Sequence, residues 1–462
     1  MSENENERLI VTSIKLNPRY NQNIYTAIND EHIYMFKSTD KINLLNVIYY
    51  DKDSGKINLS DEKVGEEYYK KVISELISKL DTVEITEPHI KKMEADLRKA
   101  SVQVLKSVLS GAPMIVRFHM DGDGATGAIA LYKTFKKIGE LFNIERFNIG
   151  WNPNRGISYD LSIYNSDQYY LNNFKTVEKP LIFLTDFGTS PDSEPAINST
   201  KSDIIWIEHH PIYEGFPSDK VHMYINPWMY GMDSNVTAGF LTAEFASIMS
   251  GEFYKDLEGA SLISDHSNFA DLNDMTANHL ATVLDALTVS EYYGPNHYRI
   301  SPAYLSRIID NKEQFEYVLN QALFELKESL DIGVRKAKKY TLDDNVIVYV
   351  VDYKYIAERD YEYMKHGRYT TKLHDKLELE TKNGNVTMVY FKNYISIRIS
   401  DSIVNRINLL KVIKELEDEK LICNGGGHNE AGSIKIKDGD GEMEKIISTL
   451  ISKFNQEKSS EN

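Results

Sequence analysis

The 462-residue chain has 42% hydrophobic and 26% charged residues and a formal net charge of −16, a globular balance in a chain long enough for two or three domains that each bury a core. Its one cysteine, Cys423, excludes an internal disulfide, a thiolate zinc site and an iron–sulfur cluster, and predicts a reducing, cytoplasmic setting. The polar start MSENENERLI and the lack of 18 uninterrupted apolar residues predict neither secretion nor a membrane span, and the acidity argues against coating long nucleic acid, although carboxylates of a metal site would supply part of it.

Short alternating runs between residues 8 and about 50, ERLIVTSIKL, NIYTAI, HIYMFK and LLNVIYY, are broken by turn residues and predict a small β-rich N-terminal unit with a helix, 1–88. Apolar spacings of three and four predict helices at 68–80 and 89–110. Past Gly111-Ala112-Pro113 the pattern alternates strand, loop and helix, with MIVRFHM, LIFLTD and DIIWIE as short continuous apolar strands. That predicts an α/β domain over 89–311, a parallel sheet with helices on both faces. A long connector helix follows at 312–340, interrupted or ended near Gly333. Strands NVIVYVVDY, GNVTMVYF and YISIRIS around the helix INLLKVIKELEDEK predict a smaller mixed α/β C-terminal domain, 341–455, before a tail, 456–462.

Three strand ends carry acids and imidazoles. RFHMDGDG places His119, Asp121 and Asp123 at a period of two, on one side if the segment stays extended; LIFLTDFG ends in Asp186; DIIWIEHHP ends in Glu208, His209 and His210. Each alone has a plain reading as a helix cap, a turn residue or surface histidines. In a parallel sheet, however, ligands bind outside the carboxyl ends of the strands. The segment SLISDHSNF adds Asp265 and His266. Carboxylates with two or three imidazoles suit manganese, magnesium or mixed sites, and two such cations can generate hydroxide near neutral pH and stabilise the leaving oxygen of a phosphate ester.

HMDGDG, LTDFG, EHH and LISDH, in that order, resemble the four motifs of the DHH family of phosphoesterases. The resemblance implies that His119, Asp121 and Asp186 hold one divalent cation, Mn2+ or Mg2+. It implies that Asp123, Asp186, His209 and Asp265 hold a second, with Asp186 bridging and His210 donating to the scissile phosphate. NGGGHNEAGSIKI and ISIRIS are similar to the DHH-associated C-terminal domain. There Gly425, Gly426 and Gly427 would offer backbone amides, and His428 and Arg398 hydrogen bonds and charge, to a phosphate or base; the plainer reading is a glycine turn before an edge strand. WNPNRGISYDLS and INPWMYGMDSNVTAGF look like segments of RecJ-like exonucleases, which implies that Arg155 and the Thr237-Ala238-Gly239 turn line substrate phosphates. Three departures stand out. Glu208 replaces the family's Asp, which shifts the layer that orients the ligands or alters metal preference. Ser158 and Asp160 occupy small-residue positions, and no residues follow for the oligonucleotide-binding domain of full RecJ enzymes.

The leading expectation is a metal-dependent exonuclease trimming single-stranded nucleic acid from an end. In EYMKHGRYTTKLHDK, Lys365, Arg368, Lys372 and Lys376 would follow the backbone and Tyr363 or Tyr369 would stack on bases; the commoner role of such a stretch is a solvated face. A second expectation keeps the chemistry but takes short oligoribonucleotides, cyclic dinucleotides or 3'-phosphoadenosine phosphate. A third is a non-catalytic replication accessory protein. The N-terminal unit is a candidate for binding nucleic acid or a protein, and oligomeric state is left open.

Overall fold

Alternating apolar residues in the first 63 positions fold as an antiparallel sheet. Strands β1 (Asn6–Lys15), β2 (Asn23–Ile28), β3 (Ile33–Ser38), β4 (Asn46–Asp51) and β5 (Ile57–Lys63) take the order β3-β2-β1-β4-β5. Leu9, Val11, Tyr25, Ala27 and Ile48 form its buried core. The computed structural model describes residues 6–17, 21–52, 54–156, 158–289, 300–342, 345–359, 366–381, 383–427, 429–436 and 442–457. They form two compact units, 1–316 and 317–462.

The expected helix at 68–80 is α1 (Glu66–Ser78). The one at 89–110 is divided into α2 (Pro88–Lys91) and α3 (Glu94–Leu109), which meet at Lys92 and Met93. The first unit continues with β6 (Met114–His119), α4 (Gly122–Phe142), β7 (Ile149–Asn154), α5 (Leu161–Leu171), β8 (Phe174–Thr176), β9 (Leu181–Thr185), α6 (Glu194–Ser199), β10 (Asp203–Ile207) and β11 (Met223–Ile225). Helices α7 (Ala238–Ser250), α8 (Lys255–Ser264), α9 (Met275–Val289) and α10 (Pro302–Asp310) follow. Strand β8 does not join its sequence neighbours but pairs with β1, so the N-terminal sheet and the α/β part share a strand within one unit.

The remaining strands form a parallel sheet in the order β11-β10-β9-β6-β7. Ile182, Leu184, Ile204 and Trp206 pack with Ala196 and Ile197 of α6 and Tyr164 and Leu171 of α5 on one face. On the other, Phe183 packs on Phe245 of α7 with ring centroids 5.4 Å apart. Burial on both faces explains why these strands read as continuous apolar runs. Because β7 lies on one side of β6 while β9, β10 and β11 lie on the other, the strand order reverses between β6 and β9. That is the switch point at which α/β sheets open a crevice.

Helix α11 (Lys312–Lys336) leads into the second unit, whose sheet takes the order β12 (Lys338–Thr341), β13 (Ile347–Asp352), β14 (Asn385–Phe391), β15 (Tyr394–Ile399), β17 (Ala431–Lys435) and β16 (Asn424–Gly427). Among the described residues of this sheet only β13 and β14 pair in parallel. Helices α12 (Lys354–Ala357), α13 (His366–Glu378), α14 (Asp401–Val404), α15 (Leu409–Asp418) and α16 (Glu442–Glu457) complete it. Gly333 does not interrupt α11. A β-carbon there would collide with the hydroxyl of Tyr369, so the glycine is a notch into which α13 packs.

Gly111, at the end of α3, ties the two sheets of the first unit together. It has φ +71°, and a β-carbon there would stand 2.5 Å from Thr26 Oγ1 on β2. Its carbonyl accepts from Asn148 Nδ2 at 2.8 Å, and Ser110 O accepts from Thr12 Oγ1 at 2.8 Å. Thr26 is buried and cannot yield. Gly111→Ala is expected to destabilise the first unit by more than about 1 kcal/mol. Thermal unfolding checks this; an unchanged midpoint would show that the two sheets do not depend on this junction.

Candidate metal centre

Strand register sets the carboxyl edge of the parallel sheet. His119 pairs with Asn154, Phe118 with Thr185, Thr185 with Ile207 and Ile207 with Ile225. The next residues of β9, β10 and β11, Asp186, Glu208 and Asn226, therefore stand level with His119 across four strands.

The first motif is not extended throughout. Strand β6 ends at His119, and Asp121 is the N-cap of α4, its carboxylate accepting from Gly124 N at 3.0 Å. Asp123 lies in the first turn of that helix. The period-of-two reading thus fails after His119, because glycines 122 and 124 let the helix begin at once. Both the capping and the ligand readings of Asp121 hold together: it caps the helix and turns Oδ2 toward His119 Nδ1, 2.9 Å away.

Asp186 is the meeting point. It is buried, and its backbone is left-handed at φ +59°, a conformation that Asp tolerates better than most side chains. Its Oδ2 lies 3.3 Å from His119 Nδ1, and its Oδ1 lies 3.5 Å from His209 Nε2 and 4.0 Å from His210 Nδ1. His209 Nε2 is also 3.5 Å from Asp265 Oδ2 and 3.9 Å from Asp123 Oδ2. All seven expected residues are brought together. Among the described residues, two groups have ligand atoms close enough to share one ion, His119 with Asp121 and Asp186, and Asp186 with His209 and His210.

Each ligand atom is aimed by a partner behind it. His209 Nδ1 donates to Ser234 O at 2.9 Å, leaving Nε2 to face the carboxylates, and His119 Nε2 donates to Arg155 O at 3.3 Å, leaving Nδ1 to do the same. Carbonyls only accept, so each imidazole, when neutral, keeps its proton on the nitrogen turned to the carbonyl. Asp123 accepts from Ala238 N at 3.1 Å, from Gly239 N at 3.0 Å and from Ser261 Oγ. The Thr237-Ala238-Gly239 turn, expected at the substrate phosphates, thus spends two of its amides on a ligand. Gly239 is required there, since a β-carbon would strike the Asp123 carbonyl and Thr126 Oγ1. Arg155 contributes its backbone carbonyl. Asp160 caps α5, accepting from Ser162 N and Ile163 N.

Charge balance follows from burial. Burial and the neighbouring Asp186 carboxylate hold Asp123 well above the usual carboxylate range. Burial, with Asp186 and Asp121, pushes Asp265 up to about 6. Burial would push His119 down, but Asp121 and Asp186 overcome it and raise the imidazole to about 11. His209 is likewise driven up against burial by Asp186, Asp265 and Asp123. Asp186 is held well below its ordinary value, because His119 and His209 outweigh burial. Oδ2 of Asp186 has no hydrogen-bond partner although it is buried. Such an orphan costs free energy unless a cation or donor meets it, and carboxylates with imidazoles suit hard or borderline divalent cations.

Glu208, fully buried, uses the extra methylene that separates it from Asp. Its Oε1 accepts from Tyr224 OH at 2.5 Å and from Asn226 Nδ2, while Oε2 accepts from His210 N at 2.6 Å and lies 3.3 Å from His210 Nδ1. Burial and Glu208 together raise the Tyr224 phenol.

In the second unit, Arg398 lies on β15, where burial lowers its pKa. Its Nε donates to Thr371 Oγ1 at 2.9 Å and Nη1 to Ile397 O at 2.9 Å. Gly425, Gly426 and Gly427 are not an open turn but lie in the edge strand β16. The Gly425 amide donates to Glu417 Oε1 at 2.8 Å, and Gly427 has φ +137° with no room for a β-carbon against Ala431 O. His428, Lys365 and Tyr363 lie outside the described residues. Tyr369 is fully buried and donates to Ser329 O at 3.1 Å, so it cannot stack on a base, and Lys376 pairs with Asp331 at 2.6 Å.

Ser261, Asn226, Ser234 and Trp228 serve the site without having been singled out in the sequence. Ser261 is four residues before Asp265, a spacing that a helical reading of 255–264 places on one face; the others carry no such signal.

No family model matches the chain. Over 418 residues it is 25% identical to an uncharacterized protein of Methanocaldococcus jannaschii, covering 78% of this chain and 54% of that protein. The chain thus spans about half the length of the curated relative it matches. It superposes on the DHH domain of a protein assigned to a family of ribosomal proteins with a TM-score of 0.69 at 18% identity, over 85% of this chain and 98% of that one. Its similarity to Mn2+-bound RecJ from Thermus thermophilus has a TM-score of 0.51 at 12% identity, over 84% and 57%. The chain has the DHH, RecJ-like fold. Among the described residues no helix is long and apolar enough to cross a membrane.

Glu208→Asp, which restores the DHH residue, is expected to destabilise this protein, by about 1–3 kcal/mol, because the buried donors of Tyr224 and Asn226 lose their acceptor. Thermal unfolding would show the loss. Stability equal to the parent's would mean that the longer side chain is not what holds these donors.

Proposed function

We propose that this chain is a two-metal phosphodiesterase that trims single-stranded nucleic acid from an end. The observation that carries the reading is the division of Asp186 between two groups, Oδ2 toward His119, which also meets Asp121, and Oδ1 toward His209, which also approaches Asp265 and Asp123, at the sheet's switch point. In this reading His119, Asp121 and Asp186 hold one divalent cation, and Asp123, Asp186, His209 and Asp265 the other. Mn2+ is the metal favoured by the imidazole content, with Mg2+ as the alternative.

Two such cations, when bound, lower the pKa of water and offset the charge that develops on a leaving oxygen. The residues do the positioning. Asp186 fixes the separation of the two ligand groups. Ser234 and the Arg155 carbonyl keep the imidazole nitrogens aimed and neutral ligation available, at the cost of displacing the protons that His119 and His209 otherwise hold. His209, Asp123 and Asp186 have side chains no more than 4% exposed, whereas His210 and Asp265 are 32% and 38% exposed. The cluster is therefore closed behind and open at His210 and Asp265, and a substrate phosphate enters from that rim. His210, braced by Glu208, is the donor to its oxygen. Similarity of fold to RecJ, an exonuclease, supports the end of a nucleic-acid strand as substrate over a small nucleotide.

Two outcomes are expected. Adding Mn2+ to metal-stripped protein raises the unfolding midpoint, by the equivalent of about 2.7 kcal/mol at a hundredfold excess over Kd; a chelator reverses it and Asp186→Ala abolishes it. A midpoint that Mn2+ leaves unchanged argues against metal binding.

With Mn2+, a labelled single strand is shortened from one end faster than a short oligoribonucleotide or a cyclic dinucleotide is cleaved, and Asp186→Ala slows this by at least about 100-fold. Faster turnover of either small substrate would move the assignment to small nucleotides. Turnover untouched by chelator and by Asp186→Ala would refute the metal mechanism.

A further inference from the structure

Strand β11 ends next to Asn226, and the turn that follows, Pro227–Tyr230, is pinned by hydrogen bonds to the sheet edge and to α3. Asn226 is held by Glu208 and by the His210 carbonyl, which accepts from Asn226 Nδ2 at 2.9 Å. Asn226 Oδ1 accepts from Trp228 N at 3.0 Å, and Tyr230 OH donates to Asp96 Oδ2 at 2.6 Å. Trp228 Nε1 donates to His209 O at 3.0 Å. That carbonyl already accepts from Ser234 Oγ at 2.8 Å, so the indole is not needed to satisfy it; the bond fixes the ring instead. On this rigid turn Trp228 remains 43% exposed and Met229 51% exposed. With its one polar atom bound inward, the indole meets solvent with carbon alone.

Exposed apolar residues are ordinary when scattered and mobile. A locked indole bonded to the carbonyl of the peptide that joins His209 to His210, the imidazole of the open rim, is a different case. A nucleotide with its phosphate at that rim carries its base one sugar away, and a base needs only a flat, preordered apolar surface to stack, whatever its identity. We propose that Trp228 is the platform for the nucleobase beside the scissile phosphate, an inference that rests on the phosphodiesterase reading above. Glu208 then acts on the substrate as well as on the ligands, because through Asn226 it ties the rim histidine and the platform into one rigid piece.

The test compares kcat/KM on a single strand with that on the same strand lacking the base at its terminal nucleotide, both with Mn2+. Wild type is expected to prefer the base-bearing strand, Trp228→Leu to reduce that preference by about five- to hundredfold, the range of one base–aromatic stack, and Trp228→Phe, which keeps a ring but no N–H, to retain most of it. On the unaltered protein, a dinucleotide is expected to quench indole emission, the share of Trp228 being read by subtracting Trp228→Phe, since the other tryptophans are Trp151 and Trp206. An unchanged preference in Trp228→Leu, or emission that a saturating dinucleotide leaves unaltered, overturns the platform and leaves the hydrolytic reading standing. Wild type that cleaves neither strand overturns the hydrolytic reading, and the platform with it.

Discussion

The Asp186 carboxylate is buried and faces imidazoles that follow two different strands, His119 at 3.3 Å from Oδ2 and His209 at 3.5 Å from Oδ1. A charge in such a place persists only if positive charge meets it from more than one side. That requirement explains the surroundings: His119 and His209 each turn one ring nitrogen inward to Asp186, and both are held that way by backbone carbonyls behind them. It also explains the backbone, since the left-handed turn at Asp186 delivers its side chain across the gap where the strand order reverses rather than along its own strand. Each group in such a site gains or loses proton affinity according to its neighbours, not its residue type.

Behind the cluster, buried polar struts run through the apolar packing. Arg117 of β6 makes a bidentate pair with Asp167 of α5, at 2.8 and 2.7 Å, and Tyr159 OH donates to the same carboxylate at 3.1 Å. The segment after β7 is thereby fastened to the strand that carries His119. A pair of this kind adds little net stability compared with apolar residues, but removing one partner strands a buried charge at a cost of about 3–5 kcal/mol. It therefore specifies geometry. Glu208 plays the same part after β10, and its length is what lets one carboxylate reach Tyr224, Asn226 and His210 together.

The parallel sheet, its switch point and the order of the ligand motifs were legible in the sequence because buried strands must be apolar runs and because α/β connections put their ends on one edge. His119, Asp186, His209 and His210 were legible for the same reason, whereas Asp121 and Asp123 at the start of α4 and Asp265 at the end of α8 were legible through the resemblance to the DHH motifs. What was not legible depends on which backbone amides and carbonyls are already engaged. A glycine-rich run reads as a set of free amides, yet the Gly425 amide is bonded to Glu417 and the strand is paired with β17. A basic and aromatic run reads as a nucleic-acid track, yet Tyr369 fills the notch at Gly333. The pairing of β8 with β1 had no local signal, since three residues of strand are too few to mark a sheet.

Those engaged amides bear on how an anionic substrate is recognised. The N-terminus of α7, with amides pointing outward, would ordinarily be a phosphate site, but its Ala238 and Gly239 amides hold Asp123, a protein carboxylate. The positive end of that helix is thus turned on a buried protein carboxylate, where it opposes but does not overcome the burial and the Asp186 charge that favour protonation. At the carboxyl edge Arg155 follows β7 directly, and His210 stands at the open rim. On the phosphodiesterase reading proposed above, affinity for the phosphate depends on metal loading, and discrimination among substrates draws on the rim, where the locked indole of Trp228 offers a broad apolar face.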